Sequence, residues 1–150
     1  MIYVDIKGRC PQKAKMTSYA EDIINSFFTR NMKRDVYIDI QVSNKIEGDF
    51  YGLCSGDKTE VEIELSRRDE NDELMTPELI AQNLAHELVH AKQFIKGQID
   101  GYERYRRSTN ASWEDHSETS YREQPWEVEA YDLEEALFLD HWYATSTKRT

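Results

Sequence analysis

Apolar and polar residues alternate or recur along this chain in patterns that outline most of its elements. From Ile2 to Ile6 they alternate, which predicts a short strand. Thr17 or Ser18 can cap a helix, and behind them Ala20, Ile23, Ile24, Phe27 and Phe28 recur at helical spacing, predicting an amphipathic helix that runs to about Asn31. Asp35 to Val42 alternates strictly, with Val36, Ile38, Ile40 and Val42 on one face, as a half-buried strand does. Phe50–Cys54 and Thr59–Leu65 are two further strand candidates. The turn residues Ser55-Gly56-Asp57 lie between them, so the pair predicts a hairpin. Glu60, Glu62 and Glu64 form one row on its second strand, read as a solvated face.

Ser66–Met75 is charged and reads as a loop. Thr76 then offers an N-cap, Pro77 a first helical position and Glu78 an acidic first turn, followed by an apolar stripe through Ile80, Leu84, Leu88 and Ile95 and a stop at Gly97. These signals predict a helix over 77–96. Residues 98–124 show no period, and a stretch of that length without structure in a compact domain is often functional. Pro125 opens a second strong helix, and the tail from Thr145 to Thr150 reads as frayed. With no repeat and no dividing linker, residues 1–150 form one expected domain of the α+β class, with a small, mostly antiparallel sheet packed on the two helices.

Composition narrows the functional classes. Among the 150 residues 29 are acidic and 19 basic, a net charge of −10. Such a chain repels phosphate backbones, so nucleic acid is a disfavoured partner. The aromatic and basic run Tyr102–Arg107 is accordingly read as a solvated loop. No apolar run approaches the roughly 20 residues needed to span a bilayer, and MIYVDIKGRC lacks the apolar core of a signal peptide. Cys10 and Cys54 are expected as reduced thiols in a cytoplasmic protein.

The most informative pattern is His86-Glu87-Leu88-Val89-His90, an H-E-x-x-H motif inside the 77–96 helix. Residues i and i+4 share a helical face, so both imidazoles can reach one metal ion, and neutral imidazole suits Zn²⁺. Glu87 beside them can take a proton from activated water and deliver it to a leaving amine. The apolar flanks bury the helix, and buried imidazoles and a carboxylate need partners. Catalytic zinc generally has three protein ligands, so a third must come from another element. Glu127 is the best placed, in the first turn of the helix that Pro125 opens, and Glu129 is the other candidate. The two point about 200° apart on a helix, so only one can be a ligand. Of the remaining histidines, His116 lies in the unpatterned stretch and His141 late in the last helix.

LAHELVHAKQF followed by QPWEVEAY resembles the gluzincin branch of zinc metallopeptidases, most closely small SprT-like or minigluzincin domains, uncharacterised phage-encoded proteins among them. The resemblance covers roughly residues 76–140 and implies a zincin-like fold, with His86, His90 and Glu127 as zinc ligands and Glu87 as general base. It implies peptide or protein substrates, and an edge strand just before the active-site helix, matched here by Thr59–Leu65, that binds substrate in extended form. Tyr131 stands where some relatives carry Asp or Asn, and Lys92 where an apolar residue is common. Two other functions fit the same motif: a zinc-binding module without hydrolytic activity, and a DNA-associated protease like some SprT-like relatives.

Overall fold

The structure is a computed structural model that describes residues 1–28, 32–46, 48 and 51–148, the last four of these through their backbone alone. The chain begins with β1 (Ile2–Gly8), α1 (Lys13–Ser26) and β2 (Val36–Ser43). It continues through β3 (Gly52–Gly56), β4 (Glu60–Ser66) and α2 (Pro77–Ile95), then a small ribbon of β5 (Arg104–Tyr105) and β6 (Glu114–Asp115), a 3₁₀ turn at Tyr121–Glu123, and α3 (Pro125–Lys148). This is an α+β arrangement.

The main sheet has the order β1-β2-β4-β3. Pairing departs from the antiparallel expectation: β1 runs parallel to β2 and β2 parallel to β4, and only β3 is antiparallel, against β4. The reason is the connectivity. α1 carries the chain back between β1 and β2, as a parallel pair requires. After β2 the chain passes the neighbouring position, forms β3 on the far side, and returns through the Gly56 turn to lay β4 in the gap. The hairpin expected from the sequence therefore forms, but its second strand is central. β3, not the Thr59–Leu65 segment, is the edge nearest α2.

One sheet face is the core. Val36, Ile38, Ile40, Val61, Ile63 and Leu65 on it are at most 1–2 % exposed, and α1 and α2 cover them. The other face is open and carries the Glu60, Glu62 and Glu64 row together with the stacked Tyr3 and Tyr37 rings (centroids 5.2 Å apart). α1 begins earlier than its hydroxyl residues suggested, at Lys13 behind a left-handed Gln12 (φ 49°). Met16 is fully buried and draws that extra turn into the core, while Thr17 only back-bonds to the Lys13 carbonyl (2.8 Å). The helix stops at Ser26, and the expected end at Asn31 and strand start at Phe50 lie outside the described residues. α3 packs along α2 and α1, with Trp142 edge-on against Tyr19 (5.3 Å). The backbone of 145–148 continues that helix rather than fraying. Among the described residues no helix is long and apolar enough to cross a membrane, and Cys10 and Cys54 are both free.

Candidate metal centre

α2 forms where its end signals placed it. Thr76 Oγ1 accepts from the Leu79 amide (3.2 Å) and Pro77 occupies the first turn. At the other end Gly97 takes a positive φ of 72°. The stripe through Ile80, Leu84, Leu88 and Ile95 faces the core, and α3 and β3 cover further flanks, so 14 of the 19 helix residues are buried. The polar residues among them must therefore be satisfied inside the protein.

All but Glu87 find hydrogen-bond partners on α3. His86 Nε2 lies 3.1 Å and His90 Nε2 3.2 Å from the same Glu127 oxygen, Oε1. The three ligand atoms all fall within 4.8 Å of one another, and the three residues are 6–8 % exposed. Two imidazole nitrogens and one carboxylate oxygen are the donor set that suits a zinc ion with an open fourth position. Each imidazole is also held from behind. His90 Nδ1–H donates to Gln93 Oε1 (2.8 Å), and Gln93 Nε2 donates to the Trp126 carbonyl (3.0 Å) and Glu129 Oε1 (2.8 Å). Because the Gln93 amide nitrogen is already donating, its oxygen faces the histidine. The His90 proton is thereby fixed on Nδ1 and its Nε2 is left toward Glu127. His86 Nδ1 lies 3.4 Å from Glu134 Oε1, and the Tyr131 ring stands edge-on to His86 at 4.6 Å.

Glu129 does not join the cluster. It lies on another face of α3, where Lys92 (2.7 Å) and Gln93 hold it. This also explains a lysine two places after the second histidine: its stem is buried and its ammonium meets a carboxylate. Burial raises the Glu129 pKa, but hydrogen bonds from Lys92 and Gln93 and the Lys92 charge outweigh it, holding the carboxyl below its ordinary value.

Electrostatics divides the two central carboxyls. Burial pushes Glu87 up to about 7, against the pull of His90 and His86. Burial also opposes ionisation of Glu127, but hydrogen bonds from His86 and His90 prevail and bring it to about 2. For His86, burial favours the neutral form, and hydrogen bonds to Glu127 and Glu134 override it, raising the pKa to about 10. Glu87 has backbone rather than a side chain for its β3 neighbour. A Cβ built on Gly52 would sit 2.9 Å from both Glu87 Cγ and Oε2.

Two clefts meet at the cluster. One, of 240 Å³, adjoins His90 and Glu127 and has Cys54, Phe94, Ile99 and Trp126 as apolar walls. The other, of 370 Å³, adjoins His86 and Glu87 and is polar, with Asn83, Tyr131 and Glu134. Tyr121, from the 3₁₀ turn, lines both and hydrogen-bonds to Glu127 and Tyr131; burial and then the Glu127 charge push its phenol pKa up. His116 is held instead by Thr119 (3.0 Å) and Glu114 (3.1 Å), and His141 is likewise outside the cluster. The Tyr102–Arg107 run is partly structural, since Arg104 and Arg106 stack on Trp113 at 5.0 and 4.1 Å. Of the residues expected at the site, the structure brings His86, His90 and Glu127 together, with Glu87 next to His86 on α2. The sequence reading did not find Gln93, Glu134, Tyr121 or Gly52. Glu134 lies seven residues, about two turns, beyond Glu127, a spacing that could have suggested it.

Compared with known proteins, the chain matches no family model, no curated protein and no solved structure.

Proposed function

We propose that this protein is a zinc-dependent peptidase that cleaves extended peptide segments laid along β3. The observation that carries the reading is the convergence of His86, His90 and Glu127 on one buried point, with the carboxyl of Glu87, the residue after His86, titrating near neutrality. The donor set fits zinc: the ring nitrogens are oriented from behind by Gln93 and Glu134, as metal-binding imidazoles generally are. Zinc bound there would supply a Lewis acid that acidifies water and polarises a peptide carbonyl.

The chain's own residues account for the rest of the chemistry. Glu87, with a pKa of about 7, takes a proton from the attacking water onto its carboxylate and gives it to the leaving nitrogen. Burial keeps bulk water from short-circuiting that transfer. β3 offers a free edge beside Glu87. Hydrogen bonds join Tyr51 to Ser66 and Asp57 to Glu60, so odd-numbered residues of β3 pair with β4, while Gly52, Cys54 and Gly56 present their N–H and C=O groups outward. An extended peptide added there runs past Glu87 and drops one side chain into the apolar cleft of Phe94, Ile99 and Trp126. A zinc-binding module without hydrolytic activity has no use for a buried base at Glu87, which favours the peptidase reading.

Elemental analysis with a peptide-hydrolysis assay tests the proposal. Expected are about one zinc per chain, lost in Glu127→Ala and kept in Glu129→Ala and Glu87→Gln, with Glu87→Gln losing about 10²–10⁴-fold in rate. A wild-type protein that stays metal-free after zinc is supplied, or zinc-loaded protein that cleaves no member of a peptide library, would overturn it.

A further inference from the structure

A separate cavity, of 550 Å³, opens at the C-terminal end of α2 and shares no described lining residue with the two clefts at the cluster. Of its eleven described lining residues five are Lys or Arg and none is Asp or Glu. The chain as a whole carries 29 acids to 19 bases, so this is a local inversion of its charge. The cations come from three separate places: Lys33 and Arg34 before β2, Lys58 in the β3–β4 turn, and Lys96 and Arg107 at and beyond the end of α2.

Helix capping explains only part of this cluster. Arg34 donates to the carbonyls of Ile95 (2.5 Å) and Lys58 (3.2 Å), closing the end of α2. Lys33, Lys58, Lys96 and Arg107 form no ion pair with a carboxylate among the described residues. Glu129 attracts Lys96, but like charges gathered without an ion-pair partner still repel one another, and an anion relieves that repulsion. Ser108 and Thr109 add hydroxyl donors to the same wall.

The rest of the lining is not phosphate chemistry. Phe28, Met32 and Ile95 make an apolar surface, and the Lys96 ammonium stands 5.4 Å from the Phe28 ring centre. Gln98 Nε2 donates to the Arg107 carbonyl (3.1 Å), while its buried Oε1 accepts from no described residue. Cations beside an aromatic and apolar surface match one chemistry: phosphate groups joined to a flat base. The strongly acidic remainder of the molecule works against a long polyanion and favours a compact one.

We propose that the cavity bounded by Lys33, Lys58, Lys96, Arg107, Phe28 and Gln98 binds a nucleoside phosphate. The site is separate from the metal centre and does not depend on it.

Calorimetric titration at low salt tests this with four probes: ADP, inorganic pyrophosphate, adenosine and a single-stranded oligonucleotide. ADP is expected to bind tightest, pyrophosphate several-fold more weakly, and adenosine not measurably. Lys58→Gln combined with Arg107→Gln is expected to weaken ADP at least tenfold. Both side chains are exposed and lie outside the metal centre, and an unchanged unfolding temperature verifies that the variant is folded. ADP affinity is expected to be the same with and without a chelator. Absence of ADP binding, unchanged binding in the double variant, or binding that vanishes with the chelator would each overturn the proposal. So would an oligonucleotide that binds more tightly than ADP.

Discussion

Glu134 shows how a single side chain can matter to the proposed metal site without entering it. Its carboxylate faces His86 Nδ1 at 3.4 Å, doing for that ring what Gln93 does for His90. Removing such a partner frees the imidazole to rotate and typically costs about 10–100-fold in metal affinity. Glu134→Ala is therefore expected to weaken zinc binding by that factor in a competition titration, while Glu135→Ala, on the exposed next position, leaves it unchanged. Gly52 makes the complementary case. A methyl group there pushes the Glu87 side chain aside from Cγ outward and meets no backbone atom, so the fold tolerates it. Gly52→Ala should retain its zinc and its unfolding temperature yet lose most of its peptide hydrolysis, separating the base from the ligands in one substitution. Gly52 was not legible beforehand, and Glu134 only through its two-turn spacing from Glu127. H-E-x-x-H announces itself because helix geometry alone puts i and i+4 together. The partners of those histidines depend on how α3 crosses α2, and the neighbour of Glu87 on which strand lies at the edge.

Elements were legible wherever a local pattern fixes them. Thr76, Pro77 and Gly97 delimited α2 almost to the residue, and TEVEIEL announced β4. Strand order and direction were not, because alternation between core and solvent is the same for parallel and antiparallel neighbours. The apolar face of Val61, Ile63 and Leu65 requires one buried face and says nothing of what lies to either side. The consequence is functional, since the central β4 is paired on both sides, and of the two hairpin strands beside α2 only β3 has an edge left to receive a strand. Cys54→Pro probes this. Cys54 points its N–H outward, so proline removes an edge donor while sparing the ladder to β4, a placement edge strands accept. Expected are normal folding and zinc content with a raised KM for peptides. An unchanged KM would mean that peptides bind elsewhere than on β3.

At the scale of the molecule, a metal at this position is a clasp. His86 and His90 belong to α2 and Glu127 to α3, so an ion bound between them joins the helix on the sheet to the helix behind it. A ligand that binds only the folded state adds about 2.7 kcal/mol at a hundredfold excess over Kd. For a chain of this size that corresponds to about 5–10 °C in unfolding temperature. The increment should depend on pH. Without metal, His86 has its pKa raised to about 10, so its contribution to stability is complete below the unfolded value of about 6.5 and is lost as pH rises through 10. Glu87, raised to about 7, binds its proton more tightly folded than unfolded, and that stabilisation is lost between about 4.5 and 7. Both slopes have the same sign, so metal-free protein should melt at steadily lower temperature from about pH 5 to about pH 9. Zinc must displace the proton on His86, so its binding strengthens over the same interval. The gap between zinc-loaded and metal-free melting curves should therefore widen with pH, and should close at every pH in Glu127→Ala. A gap that narrows as pH rises would mean that zinc stabilises the fold through ligands other than this histidine pair.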